Sequence, residues 1–190
     1  MAHISIIGTG NMGQAIAAVA GCGGHTVTLV TKADTDIALG DVVVLAVPHP
    51  AVADVLATWG PALAGKVVVD ITNPLNFETF DSLVVPADGS ATAGIAAALP
   101  QSLVLKAFNT NFAGTLASGT VGDLPTTVLI AGDDADAKAT LAGIVTSGGL
   151  KAIDAGGLSR ARELEAIGFL QITLAANEKI SWTGGFGVVA

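Results

Sequence analysis

The 190-residue sequence predicts an α/β fold, a doubly wound and mostly parallel sheet in a single domain spanning residues 1–190. Three observations carry that expectation. Strand-like and helix-like segments alternate from end to end, without repeats, low-complexity tracts or a linker. Several strand candidates, such as Val42-Val43-Val44-Leu45 and Val67-Val68-Val69, are continuously apolar, as expected of strands covered on both faces. The first strand runs straight into a glycine-rich turn, Gly8-Thr9-Gly10-Asn11-Met12-Gly13, and then into an alanine-rich helix.

The hydrophobic pattern places strands near His3–Ile7, His25–Thr31, Asp41–Val47, Lys66–Ile71, Ser102–Phe108, Thr126–Ala131 and Leu150–Asp154. Helices are expected at Asn11–Ala20, Ala51–Trp59, Ser90–Leu99, Ala135–Thr146 and Ser159–Lys179. One connection is too short. Only about ten residues separate Thr31 from Asp41, so the crossover helix there is reduced to a turn or absent. The last helix carries Leu164, Ile167, Leu170 and Leu174 at helical spacing, with Phe169, Ile172 and Ala176 beside them. A helix apolar on two faces has two surfaces to cover, which points to its own sheet and a second subunit, and so to a homodimer. Ser159 is the expected N-cap of this helix.

Hydrophobic residues make up 51% of the chain and charged ones 13%, yet no apolar run approaches the ~18 residues that span a bilayer. The high apolar content therefore predicts deep burial and no membrane partner. The N-terminus shows no secretory pattern, and the lone Cys22 has no partner for a disulfide or a metal, so Cys22 is expected as inert packing. Together these features predict a cytoplasmic protein. A net charge of -8 with scattered basic residues argues against nucleic acid as a partner.

The glycine turn has a physical reading residue by residue. Gly8 permits the tight turn, Gly10 lets a pyrophosphate approach bare backbone, and Gly13 lets helix and strand pack closely. With Thr9, Asn11 and Met12 they form a dinucleotide cradle at a helix N-terminus, the signature of a Rossmann-type domain. At the end of the second strand, NAD-specific folds place a carboxylate; here Thr31-Lys32 stands there, and Asp34 follows only later. Hydroxyl and ammonium groups favour a 2′-phosphate, so NADP is expected rather than NAD.

Ligands in an open α/β sheet lie beyond the carboxyl ends of the strands. The third strand ends in Ala46-Val47-Pro48-His49, which is expected along the cofactor, with His49 donating to a phosphate, ribose or substrate. Asn73 after the fourth strand either bonds the nicotinamide side or serves the turn ahead of Pro74. After the fifth strand, Lys106, Asn109 and Thr110 are candidates for facing a second substrate, beside Pro74. A lysine in so apolar a strand needs a partner, and an ion pair with Asp70 or Glu165 is the alternative for Lys106. Arg160 and Arg162 oppose the dipole of the last helix, so either an anion or a surface pair with Glu163 or Glu165 accounts for them; Arg162 is assigned to the substrate pocket. The chain has no zinc motif, no nucleophile elbow, no P-loop and no tyrosine, which excludes carbonyl reduction by a Tyr and Lys pair. No residue is assigned a catalytic acid, base or nucleophile role. Hydride transfer to a flavin-like ring asks the protein mainly to orient its cofactors.

Four motifs in order carry a resemblance: Ile7-Gly8-Thr9-Gly10-Asn11-Met12-Gly13, Val44-Leu45-Ala46-Val47-Pro48, Lys106-Ala107-Phe108-Asn109-Thr110, and Asp154-Ala155-Gly156-Gly157-Leu158-Ser159 through Arg162 and Glu165. Together they resemble the NADPH-dependent reductases of the deazaflavin coenzyme F420. The resemblance implies hydride transfer between NADPH C4 and C5 of the deazaflavin. It implies Thr9 and Thr31-Lys32 toward the 2′-phosphate, Ala46 to Pro48 along the nicotinamide, and Asn109-Thr110 toward the deazaflavin. Two departures stand out: the missing crossover helix, and Asn109 where the family has a histidine. They widen the implied acceptor to deazaflavin, flavin or quinone, and make the chain similar to a shorter group of NADP-binding oxidoreductases. A noncatalytic NADP-binding module is the alternative from another class. Gly10-Asn11-Met12-Gly13-Gln14-Ala15-Ile16 also resembles pyrroline-5-carboxylate reductase, an imine reductase that requires a helical second domain.

Overall fold

The strands of the sheet are short, and β1, β3 and β4 are dominated by apolar β-branched residues. The structure, a computed structural model, describes residues 1–189. Seven strands form the main sheet: β1 (His3–Ile7), β2 (Thr26–Val30), β3 (Val42–Leu45), β4 (Val67–Asp70), β5 (Leu103–Lys106), then β8 (Thr127–Gly132) and β9 (Lys151–Gly156). A small antiparallel hairpin, β6 (Thr120–Val121) with β7 (Leu124–Pro125), lies outside it. The order is β2-β1-β3-β4-β5-β8-β9, parallel throughout except for the β5–β8 pair. Among the described residues no strand lies beyond β2, because the chain from Thr31 to Asp41 contains no helix and returns directly to β3.

The helices are α1 (Asn11–Cys22), α2 (Val52–Trp59), α3 (Ala91–Ala98), α4 (Ala113–Ser118), α5 (Ala135–Ser147) and α6 (Ala161–Ala176). Period-two alternation splits the sheet into two buried faces. Ile4, Ile6, Val42, Val44, Val69 and Leu105 join α1, α4 and α5 residues such as Ile16, Leu116 and Leu141 in one core. Val43, Leu45, Val68 and Val104 join Val52, Trp59 and Ile95 on the other. Full burial of each such side chain contributes about 1.5–3 kcal/mol. The same parity sends Asp70 and Lys106, two residues beyond Val68 and Val104, to the second face.

The structure corrects three expectations. Cys22 is exposed at the end of α1 and packs into no core. Ser159 caps nothing: a 3-10 turn at Leu158–Arg160 precedes α6, which starts after Arg160 without a side-chain cap. The turn is instead held by Asp133, whose Oδ1 accepts the Leu158 N–H at 2.8 Å. In α6 the buried stripe is Ala161, Leu164, Glu165, Gly168, Gln171 and Ala175, so two of its core positions are polar. Ile167 and Leu170 are exposed on the same helix. No helix among the described residues is long and apolar enough to cross a membrane.

The helix α4, the hairpin and the C-terminal tail have no counterpart in the sequence reading. The tail returns over α4 and α6, with Trp182 against Phe112 at a ring separation of 5.0 Å. Gln171 fastens it: its Oε1 accepts the Phe186 N–H at 3.1 Å, and its Nε2 donates to the Thr110 carbonyl at 3.2 Å.

Candidate dinucleotide site

The glycine turn is shaped by two backbone collisions and one open space. Gly8 has φ +115°, and a Cβ there would overlap the Ala46 carbonyl, which ties the end of β1 to the end of β3. The Ala46 N–H donates to the Ile7 carbonyl at 2.8 Å, and the Gly8 N–H donates to the Val30 carbonyl at 3.0 Å, so the turn is anchored to both neighbouring strands. A Cβ on Gly13 would overlap the Gly8 carbonyl, whereas Gly10 has no neighbour within 4 Å of its hypothetical Cβ. Gly10 is also the N-cap of α1, with no side-chain cap bond and no acid in the first turn. The first N–H groups of α1, from Asn11 to Gly13, thus end in open space where an anion is favoured. Thr9 and Asn11 are exposed beside them, and the Met12 side chain packs back onto the core.

At the end of β2, Thr31 and Lys32 are exposed, and Asp34 folds back onto Thr31. The Thr31 hydroxyl and N–H, bonded to the Asp34 carboxylate, hold its pKa below the ordinary value. At the end of β3, Ala46 and Val47 are half-buried, and Pro48 leads into a 3-10 turn at His49–Ala51 that continues as α2.

The ends of β4 and β5 are bound together. Asn73 Nδ2 donates to the Asn109 carbonyl at 2.8 Å, and Asn109 Nδ2 donates to Asn73 Oδ1 at 2.9 Å and to the Leu164 carbonyl at 2.8 Å. Asn73 thus clasps the two loops and remains half-buried, with one Nδ2 hydrogen uncommitted. Gly168 makes room for the clasp, because a Cβ there would overlap Asn73 Oδ1. Phe108, buried in the first core just ahead of Asn109, has φ 61°, a conformation that costs on the order of 1–3 kcal/mol for a non-glycine residue. Pro74 and Thr110 are buried in the same wall.

Lys106 is not a pocket residue. It is fully buried, and its ammonium donates to Asp70 Oδ2 at 2.9 Å, Glu165 Oε1 at 3.0 Å and the Thr72 carbonyl at 2.6 Å, which uses all three donors. The ion-pair alternative holds with both carboxylates at once. Glu165 also accepts from the N–H groups of Ala91 and Thr92 at the start of α3, so the excess negative charge meets a helix N-terminus. Burial by itself pushes the Asp70 carboxyl up, but the Lys106 ammonium and the bonds from Thr72 and Thr92 outweigh it and hold the pKa low. Because Thr72 donates its N–H to Asp70 Oδ1 at 2.8 Å and gives its carbonyl to Lys106, the cluster fixes the backbone just ahead of Asn73. Arg162 is exposed and makes no hydrogen bond or ion pair among the described residues. Arg160 takes the surface pair with Glu163, at 3.8 Å.

Among the described residues, four buried polar side-chain atoms have no protein partner: His49 Nδ1, Thr72 Oγ1, Asn109 Oδ1 and Asn111 Oδ1. All four follow the carboxyl ends of β3, β4 or β5, the edge where a polar ligand is expected in such a sheet. The residues present therefore fit a dinucleotide laid from the α1 N-terminus across this edge.

Fold and turn together define the Rossmann class of α/β proteins. The family model described as NADP oxidoreductase coenzyme F420-dependent matches residues 30–74. An F420-dependent NADP reductase of Methanocaldococcus jannaschii is 32% identical over 149 residues, covering 76% of this chain and 66% of the relative. The crystal structure of a provisionally named F420-dependent NADP-reductase from Arthrobacter sp. FB24 superposes with a TM-score of 0.85 at 27% identity, covering 100% of both chains. The metalloreductase STEAP3 of Rattus norvegicus is 36% identical over 112 residues, covering 59% of this chain and 22% of the relative. The chain thus spans 66% of one curated relative's length and 22% of the other's. It belongs to the family of coenzyme F420-dependent NADP oxidoreductases.

Proposed function

We propose that the protein is an NADP(H)-dependent oxidoreductase that passes a hydride between NADPH and a flat small-molecule acceptor of the deazaflavin or flavin class, with a quinone as a further candidate. The observation that carries this reading is the uncapped start of α1 behind an unobstructed Gly10, a cradle for the pyrophosphate. When bound, NADPH supplies the hydride from C4 of its nicotinamide, leaving NADP⁺, and the acceptor takes up that pair of electrons with its proton.

The chain's own residues bind and orient. The first turn of α1 holds the pyrophosphate, and Thr9 with Thr31 and Lys32 serves the 2′-phosphate side. Ala46, Val47 and Pro48 give the nicotinamide a small apolar floor, with His49 Nδ1 available to a ribose or phosphate oxygen. The clasped Asn73 and Asn109, with Pro74 and Thr110, form the wall against which the acceptor lies. Exposed Ile167 and Leu170 on α6 form the contact of a homodimer.

Stopped-flow oxidation of NADPH with F420, FMN and a quinone tests this function. Oxidation that depends on one of these acceptors is expected. Tight NADPH binding with no oxidation by any of them would leave a nucleotide-binding module and overturn the enzyme reading.

A further inference from the structure

Asp34 holds both donors that a 2′-phosphate needs at the end of β2. Its Oδ2 accepts the Thr31 N–H at 2.8 Å and the Thr31 hydroxyl at 2.7 Å. The Thr31 oxygen in turn accepts the Ala33 N–H at 3.2 Å, and the Asp34 N–H donates to the Thr31 carbonyl at 3.2 Å. The turn is closed around one carboxylate oxygen. The other, Oδ1, has no protein partner, and Lys32 makes no ion pair among the described residues.

In a sheet of this kind the adenosine ribose lies at the end of the second strand. A carboxylate there accepts a bond from a ribose hydroxyl, whereas a phosphate requires donors and is repelled by a nearby carboxylate. As the turn stands, Thr31 has no donor left for a phosphate. It can be released, because Thr31 to Asp41 contains no helix or strand and Thr31 and Lys32 are exposed.

We infer that Asp34 is a specificity-determining residue: NADPH must displace its carboxylate from Thr31, while NADH leaves it in place and donates a ribose hydroxyl to its free oxygen. Asp34 thereby narrows the preference for NADPH that Lys32 and Thr31 create. The inference rests on the NADP(H) reading and assigns that site its discriminating residue.

The test is titration of NADPH and NADH into the parent protein, Asp34→Ala and Asp36→Ala. Asp36 lies in the same exposed loop, carries the same charge and makes no hydrogen bond among the described residues, so its replacement controls for loop charge. The ratio Kd(NADH)/Kd(NADPH) is expected to rise about tenfold in Asp34→Ala and to change less than about twofold in Asp36→Ala. An unchanged ratio in Asp34→Ala, or an equal rise in Asp36→Ala, overturns the inference while NADPH binding by the parent upholds the wider reading. Failure of the parent to bind either nucleotide overturns both.

Discussion

Asn73 and Asn109 hold each other by reciprocal bonds, Nδ2 of Asn73 to the Asn109 carbonyl at 2.8 Å and Nδ2 of Asn109 to Asn73 Oδ1 at 2.9 Å. The pair joins the ends of two adjacent strands to α6, since Asn109 also donates to the Leu164 carbonyl. Its placement depends on a helix that comes so close that only glycine fits at position 168.

Gly168→Ala should push α6 away from the clasp. Overpacking of this kind costs about 1–3 kcal/mol, measurable as a lower urea midpoint. In stopped flow, the hydride-transfer rate should fall more than NADPH affinity does, because the pyrophosphate cradle is remote from α6.

The three glycines of the turn should separate by experiment. Gly8→Ala and Gly13→Ala each drive a Cβ into backbone and should lower the thermal midpoint. Gly10→Ala meets nothing in the protein, so it should fold normally yet bind NADPH far more weakly. Equal stability loss at all three positions would refute this division of labour.

Lys106→Met should be among the most destabilising substitutions, since it leaves Asp70 and Glu165 buried together. Breaking such a cluster costs about 3–5 kcal/mol in denaturant unfolding. Adding Glu165→Gln and Asp70→Asn to the same variant should restore much of that loss.

Acid should weaken the same cluster. Asp70 has a lowered pKa in the folded chain, so its stabilising contribution is present above the ordinary aspartate value of about 3.9 and is lost as pH falls through the lower folded value. Stability measured from neutral pH into that acidic range should decline, and Asp70→Asn should flatten the decline.

Sedimentation addresses assembly. The parent should run as a dimer, and Leu170→Glu, which places a charge on the exposed face of α6, should run as a monomer with an unchanged circular dichroism spectrum.

The strands and the glycine turn were legible because their causes are local: continuous β-branched runs, then glycines between a strand and a helix. Lys106 was legible only as a problem needing a partner. Its carboxylates lie 36 and 59 residues away, and what joins them is strand register and the face on which α6 docks. Ser159 failed as a cap because a 3-10 turn, held by distant Asp133, intervenes before the helix. Asp34 stands past the strand end in the sequence, and only a turn that folds back brings it to Thr31. Helix α4 has only six residues, follows Phe112 as an N-cap without a side-chain bond and stops before Gly119 with φ 74°, so little of it is periodic. Gly168, mid-helix where glycine is costly, was the one available hint of the clasp.

The direct return from β2 to β3 leaves the sheet without an outer strand and helix at its β2 edge. Under the proposed function, a coenzyme gripped at its pyrophosphate and nicotinamide, with its adenine toward solvent, leaves as readily as it enters. NADPH would then act here as a travelling substrate, exchanged at every turnover, and not as a resident group.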